Sequence, residues 1–381
     1  MSMSRVPISP PERLLCGPGP SNPDPRVLAA QQLPIVGHLD PAFHAILTEL
    51  SGLLAGVWRA DGGMSIALSA TGTSGMEAGL AALLEPGDEV IVGVAGFFGA
   101  RIAEIARRQG AEVIEVRVPF GQAAPNERLL DELARHPQAR MLAVVHAETS
   151  TGVAHPLAEL AEAMAGSDAL LFADCVTSLS GMPLEAGRWG LDYGYSCSQK
   201  CLGAPPGLSP VTLSERALER IAARRVPMPF SFDFDLLRKY WIERPATYHH
   251  TVPVLSYYAL HEAVRLALEE GLERRWERHA ESGAHLQRAL RERGFELLAE
   301  PSRQLAQLTA VRVPEGVDGP AVQARLLAEH GVEIGGGLGP SAPPIWRLGL
   351  MGTNATIETA DRLLEAFAAV VDSPRAATGA R

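Results

Sequence analysis

Between about residues 30 and 250, short apolar runs alternate with stretches of helical periodicity. This alternation constrains the fold more than any other feature of the chain. Residues 65–68, 90–94, 141–145 and 169–173 are apolar throughout or nearly so, with no polar residue at every second position. Such runs read as strands buried on both faces. Residues 75–84, 100–109, 129–135 and 157–165 have helical composition and spacing. Strands and helices in strict alternation predict an α/β fold, a mostly parallel central sheet with helices on both faces.

At 381 residues the chain exceeds one ordinary core and suits two domains. Residues 1–25, rich in Pro and Gly, read as an extended arm. Residues 26–255 form the expected large domain and 256–381 a smaller α+β domain. Tyr257, Leu260, Val264 and Leu268 make a core-facing stripe at helical spacing. Beyond residue 275 the pattern is helix, strand near 309–313, helix, strand near 346–350, helix. Asp318 followed by Pro320 is a helix start signal. Arg274, Arg275 and Arg278, set among glutamates, read as a solvated helix face, and the tail after Ser373 as frayed.

A net charge of -10 argues against a nucleic-acid or anionic-membrane partner, since both select basic surfaces. No apolar run approaches the roughly 18 residues that span a bilayer, and residues 1–11 lack a hydrophobic stretch of signal-peptide length. Cys16, Cys175, Cys197 and Cys201 form no CxxC pair, which suits a reduced, cytoplasmic compartment and no metal site.

Three segments carry the chemistry, each where a strand gives way to a loop, and ligands of open parallel sheets bind at such strand ends. Ser69 to Ala78 (SATGTSGMEA) opens a helix with small and hydroxyl residues, a place for an anion to meet backbone N–H groups. It also fits an ordinary helix cap, and it matches neither the nucleotide-hydrolase loop nor the dinucleotide fingerprint. Asp174 ends a buried run, where an acid is costly without a partner such as a protonated ring nitrogen. Lys200 lies among small uncharged residues before Pro205-Pro206-Gly207, unlike a surface lysine. Burial there would lower its pKa and free a neutral amine. Asp174 and Lys200 are 26 residues apart, one strand–loop–strand excursion. An anion cradle, an acid and a buried amine are the parts a pyridoxal-phosphate site requires.

The order of motifs resembles the class V aminotransferases of pyridoxal-phosphate fold type I, in their alanine–glyoxylate and serine–pyruvate branch. It runs from LLCGPGPSN at residues 14–22, through ETSTGV at 148–153, SQK at 198–200 with APPG at 204–207, and YHHTVP at 248–253, to WRLGLMG at 346–352. The resemblance implies that Lys200 binds pyridoxal 5'-phosphate covalently and shuttles the substrate proton, while Asp174 holds the ring nitrogen protonated. It implies Val176 beneath the ring, Phe98 stacked above it, and Thr149 near the ring hydroxyl. Thr71, Gly72, Thr73 and Gln199 would hold the phosphate, joined by Tyr248 and Thr251 across a homodimer with shared active sites. Arg347 and Gly19 would contact the substrate, Arg347 gripping its carboxylate as a planar fork.

Phe98 stands where relatives often have Trp, and Thr73 where some have His. The implied reaction is a ping-pong transamination between alanine or serine and glyoxylate or pyruvate. One carboxylate clamp without a clear second disfavours dicarboxylic substrates. Gly37 to Pro41 (GHLDP) is similar to bacterial members that act on ureidoglycine and glyoxylate in purine catabolism, which keeps that alternative open. A desulfurase-like lyase is disfavoured because no cysteine follows Cys201. A pyridoxal-phosphate-binding regulator without turnover would need a DNA-binding module for which residues before 25 leave no room. Tyr248, His249 and His250 could also be packing residues, and Arg347 a structural ion-pair partner. A metal held by His249 and His250 is disfavoured, as adjacent strand residues face opposite ways.

Overall fold

The structure, a computed structural model, describes residues 8–371. The start of the N-terminal arm and the tail expected to fray lie outside the described residues.

Seven strands form the central sheet: β1 (Met64–Leu68), β2 (Glu89–Val94), β3 (Glu112–Arg117), β4 (Met141–Val145), β5 (Leu170–Asp174), β6 (Tyr193–Tyr195) and β7 (Ser209–Leu213), in the order β1-β7-β6-β5-β4-β2-β3. All pairings are parallel except those of β7, which runs against both β1 and β6. Every residue of β1, β4 and β5 is buried, which is why these strands read as continuous apolar runs.

Three strands have no such signature. The edge strand β3 (EVIEVR) is charged and half-exposed, as suits an edge that must not recruit another chain. β6 is three residues long, and β7 contains Pro210, which the rule against proline in central strands would demote. The helices Gly72–Leu83, Phe97–Arg108, Asn126–Arg135 and Leu157–Ala163 connect the strands. Each begins at or N-terminal to its periodic stretch, because caps and first turns carry no apolar period.

A second core gathers Leu286, Val311, Leu326, Trp346 and Phe367. It lies around β8 (Leu308–Arg312), β9 (Gly335–Gly336) and β10 (Ile345–Gly349), an antiparallel sheet in the order β8-β10-β9. Helices Leu272–Glu292, Gly319–His330 and Ile357–Val371 accompany it. Asp318 caps the middle one, accepting from the Ala321 N–H at 2.9 Å. The N-terminal segment contributes to this unit: Leu14–Leu15 pairs in parallel with Val332–Glu333, and Cys16 enters the core.

The long helices Val254–Glu270 and Leu272–Glu292 meet at Gly271, whose φ of +84° a side chain would strain. The solvated arginine face expected just beyond this joint is corrected by the structure. Arg274 is exposed, but Arg275 is 6% exposed and Arg278 is half-buried, both paired with Glu270. Glutamate among arginines signals pairing as readily as solvation, and a linear sequence does not say which.

Candidate active site

The parallel strands end together on one side of the sheet, and register places Asp174, the last residue of β5, opposite Tyr195 of β6 and Val145 of β4. The chain turns after β5 and continues past β6 into the segment that carries Lys200. Asp174 is 3% exposed. One oxygen accepts the Val176 N–H at 2.9 Å and the other accepts the Tyr195 hydroxyl. Burial raises its pKa to about 7, against the pull of the Tyr195 hydrogen bond. A carboxyl poised there ionises fully once a cation is set against it.

Lys200 is partly buried, and its pKa lies below the ordinary lysine value, chiefly through desolvation. Its ammonium donates to the Pro18 carbonyl. The next residue, Gly19, adopts φ +106°, and a Cβ there would stand 2.5 Å from the lysine Cδ and Nζ. The left-handed backbone there favours glycine where the arm crosses the amine. The lysine's own carbonyl accepts the Ser21 hydroxyl at 2.9 Å.

Thr71 caps the helix Gly72–Leu83, accepting from the Ser74 N–H at 3.3 Å. Thr71 and Thr73 are exposed while Gly72 is buried. A Cβ on Gly72 would come within 3.1 Å of the Cys197 Cβ and 3.3 Å of a Val176 methyl. The first N–H groups of such a helix have no partner within it. The Thr73 hydroxyl accepts from Arg101 at 3.1 Å, and the Arg101 guanidinium lies over the Phe98 ring at 5.3 Å. Gln199 has its amide oxygen buried without a partner, a polar spot the chain does not itself satisfy.

Arg347 on β10 donates to the Gly336 carbonyl at 2.6 Å and to the Thr149 carbonyl at 3.3 Å, and no ion pair forms on it among the described residues. The ion-pair role weighed for it is therefore not observed. Burial lowers its pKa, with Glu148 the opposing influence.

Tyr248 and Thr251 flank the segment whose His250 reaches the Ser69 hydroxyl. Both are exposed, Tyr248 packing on the His38 ring with centroids 5.6 Å apart. His249 and His250 lie in a loop rather than a strand, so the argument from opposite faces does not apply. Their rings meet, Nδ1 to Nδ1 at 2.6 Å, and their outer nitrogens reach the Phe230 carbonyl and the Ser69 hydroxyl. No group of metal-ligating side chains occurs among the described residues.

Two residues of the site were not anticipated. Tyr195 was invisible because nothing local in Tyr193-Gly194-Tyr195 marks one hydroxyl as facing an acid. Glu148 is fully buried and accepts from the N–H groups of Phe98 (3.0 Å) and Gly99 (3.2 Å) and from the Ser150 N–H (3.1 Å) and hydroxyl (2.6 Å). It thereby fastens the start of the helix that carries Phe98 to the Thr149 segment. Its signal was present, an acid heading the Glu148-to-Val153 motif.

A desolvated amine, a buried acid able to pair with a ring cation, and a glycine-lined helix start fit pyridoxal phosphate. The family model of class V aminotransferases matches residues 38–355, and the chain belongs to that family of pyridoxal-phosphate enzymes. An alanine–glyoxylate aminotransferase of Rattus norvegicus is 40% identical over 365 residues, covering 95% of this chain and 88% of its own length. The alanine–glyoxylate aminotransferase of Nostoc sp. superposes with a TM-score of 0.93 at 46% identity, over 97% of this chain and 98% of its own. The ureidoglycine–glyoxylate aminotransferase of Bacillus subtilis gives a TM-score of 0.93 at 37% identity, over 98% and 95%.

Proposed function

We propose that the enzyme moves an amino group from alanine or serine to glyoxylate or pyruvate, with Lys200, Asp174 and Arg347 as its working residues. The observation that carries this reading is the partly buried, desolvated Lys200 amine facing Gly19, where a side chain would fill the space beside it. The likeness to the rat and Nostoc enzymes supports the substrate pair.

Bound pyridoxal phosphate supplies an aldehyde to take up the amino group and a ring to receive the electrons freed at the substrate α-carbon. The protein's part is binding, orientation and proton movement. Lys200 Nζ, whose charged form burial disfavours, would move the substrate's α-proton. Asp174 holds a proton on the ring nitrogen, its charge secured by Tyr195. Val176 and Phe98 cover the two ring faces, and Thr149 serves the ring hydroxyl. Thr71, Gly72, Thr73 and Gln199 hold the phosphate. Arg347 grips the substrate carboxylate, exchanging a carbonyl acceptor for an anionic one, and Gly19 lines the substrate side.

Tyr248 and Thr251 complete the phosphate site from a second copy in a homodimer. Exposed Ile35, Phe230 and Tyr248 supply apolar surface for that contact, at 69%, 65% and 57% exposure. Four buried, unpaired cysteines suit a cytoplasmic home. Among the described residues no helix is long and apolar enough to cross a membrane.

The test is a half-reaction screen. L-Alanine or L-serine should bleach the yellow of the lysine-bound cofactor, and glyoxylate should restore it. Bleaching by ureidoglycine in preference to both would favour the second reading, which the likeness to the Bacillus subtilis enzyme supports. No bleaching by any small amino acid would overturn transamination.

A further inference from the structure

The partly buried ion cluster at the joint of the two long helices has no part in the chemistry above, yet it touches the peptide of Lys200's neighbour and the turn that follows Arg347's strand. Glu270 ends one helix, and Arg275 and Arg278 lie in the first turns of the next. Glu270 accepts from Arg275 at 2.6 Å and from Arg278 twice, at 2.6 and 3.0 Å. Burial works against its charge, but the Arg278 and Arg275 contacts outweigh this and hold its pKa down to about 2.

The two guanidiniums then diverge. Arg275 donates to the Cys201 carbonyl at 2.6 Å, one residue beyond Lys200. Arg278 donates to the Gly352 and Ala355 carbonyls at 2.9 and 2.8 Å. His279 adds a third tie: its Nε2 accepts the Gly352 N–H at 3.1 Å, so Nδ1 carries the ring proton and donates to the Arg275 carbonyl at 2.7 Å. Burial keeps this ring neutral, with a pKa of about 3, as that arrangement requires.

Gly352 is the point where the ties converge. It follows β10, the strand that bears Arg347, by three residues. A Cβ on it would stand 3.3 Å from both the Lys200 carbonyl oxygen and the Ser21 hydroxyl. The neighbouring Thr353 hydroxyl donates to the Asn22 carbonyl at 2.5 Å, so the arm that crosses the lysine is held by the same turn. The cluster thus braces three segments that also meet directly through Ser21, Gly349 and Asn354: the Lys200 peptide, the exit of the Arg347 strand and the Gly19 arm.

We infer that Glu270, Arg275 and Arg278 form a positioning clasp that sets the distance between the Lys200 amine and the Arg347 guanidinium. An amino acid must present its α-carbon to one while its carboxylate rests on the other, and small misplacements of reacting groups are costly in rate. The inference rests on the roles proposed for Lys200 and Arg347. Arg275 supports it further, because a nearly buried guanidinium reaching a backbone carbonyl beside the reactive lysine is expensive to maintain without purpose.

Glu270→Gln tests it, measured on folded, cofactor-loaded enzyme in the alanine half-reaction. The expected result is a fall of about tenfold or more in the rate of bleaching together with a rise in KM for alanine. The KM increases of Glu270→Gln and Arg347→Ala should be markedly non-additive in the double variant, since both act through the carboxylate. Glu270→Asp should recover part of the rate. A lower melting temperature with unchanged rate and KM, or strictly additive KM effects, would make the cluster merely structural and overturn the inference. Should Glu270→Gln not fold, Arg278→Lys, which keeps the charge and loses the fork, reads the same KM and rate changes in milder form. Failure of the underlying reading looks different: wild-type enzyme would then show no half-reaction at all.

Discussion

The Tyr195 hydroxyl donates to the buried carboxylate of Asp174, and it is the strongest influence opposing the burial that pushes this acid upward. Removing a donor from a carboxylate disfavours its charged form. Tyr195→Phe should therefore raise the Asp174 pKa further above about 7. The acid limb of kcat/KM should move to higher pH, with activity at neutral pH down by about tenfold. A pH–rate profile superimposable on the wild type would show that the hydroxyl has no share in tuning the acid.

Asp174 also makes the apo-protein's stability depend on pH in an unusual direction. Its folded pKa, about 7, lies above the ordinary 3.8, so the native state holds a proton that the unfolded chain has released. This contribution is present below pH ~4 and is lost as pH rises through about 7. Buried His146, His155 and His279, lowered to about 4, 3 and 3, act oppositely: they favour unfolding as pH falls below the ordinary 6.5. Comparison with Asp174→Asn isolates the acid. The melting temperature of the variant relative to wild type should rise by several degrees between pH 4 and 7 in apo-protein, and a flat difference would refute the shift.

The sheet was legible where strands are buried on both faces, because β1, β4 and β5 have no solvent side to write a polar alternation. It was illegible at β6 and β7, whose place comes from their neighbours: three residues wedged beside β5, and a strand running against the rest despite Pro210. The site divides the same way. Lys200 announced itself through the absence of charge around it and Asp174 through its place at the end of an apolar run. Tyr195 and the Glu270 clasp are long-range pairings, settled by register and by a helix joint, and no local pattern encodes them. Arg275 was misread for that reason, since its glutamate partner looks the same in sequence whether the pair faces water or the Cys201 carbonyl.

Gly19 offers a test of the arm. Its φ of +106° disfavours any side chain, and the alanine methyl would meet the lysine amine at 2.5 Å. Gly19→Ala should fold, because the change lies outside both cores, but lose covalent cofactor. Borohydride-fixed label on the Lys200 peptide, read by mass spectrometry, should fall by about tenfold or more. Full labelling would mean that the arm yields at no cost and that the glycine is not needed there.

Tyr248 and Thr251 are exposed, as are Ile35 and Phe230, and His250 between the first two reaches Ser69 at the start of the candidate phosphate loop. If Tyr248 and Thr251 complete the neighbouring site, cofactor affinity and association are linked, and each must strengthen the other. Dilution followed by sedimentation should show cofactor leaving as the dimer separates, and added pyridoxal phosphate should shift dissociation to lower protein concentration. Tyr248→Phe should weaken cofactor binding by about threefold to tenfold through loss of one hydroxyl donor, while leaving the apo-protein's association unchanged. A monomer that keeps its cofactor on dilution would place every phosphate ligand within one chain, and Tyr248 would then be a packing residue against His38.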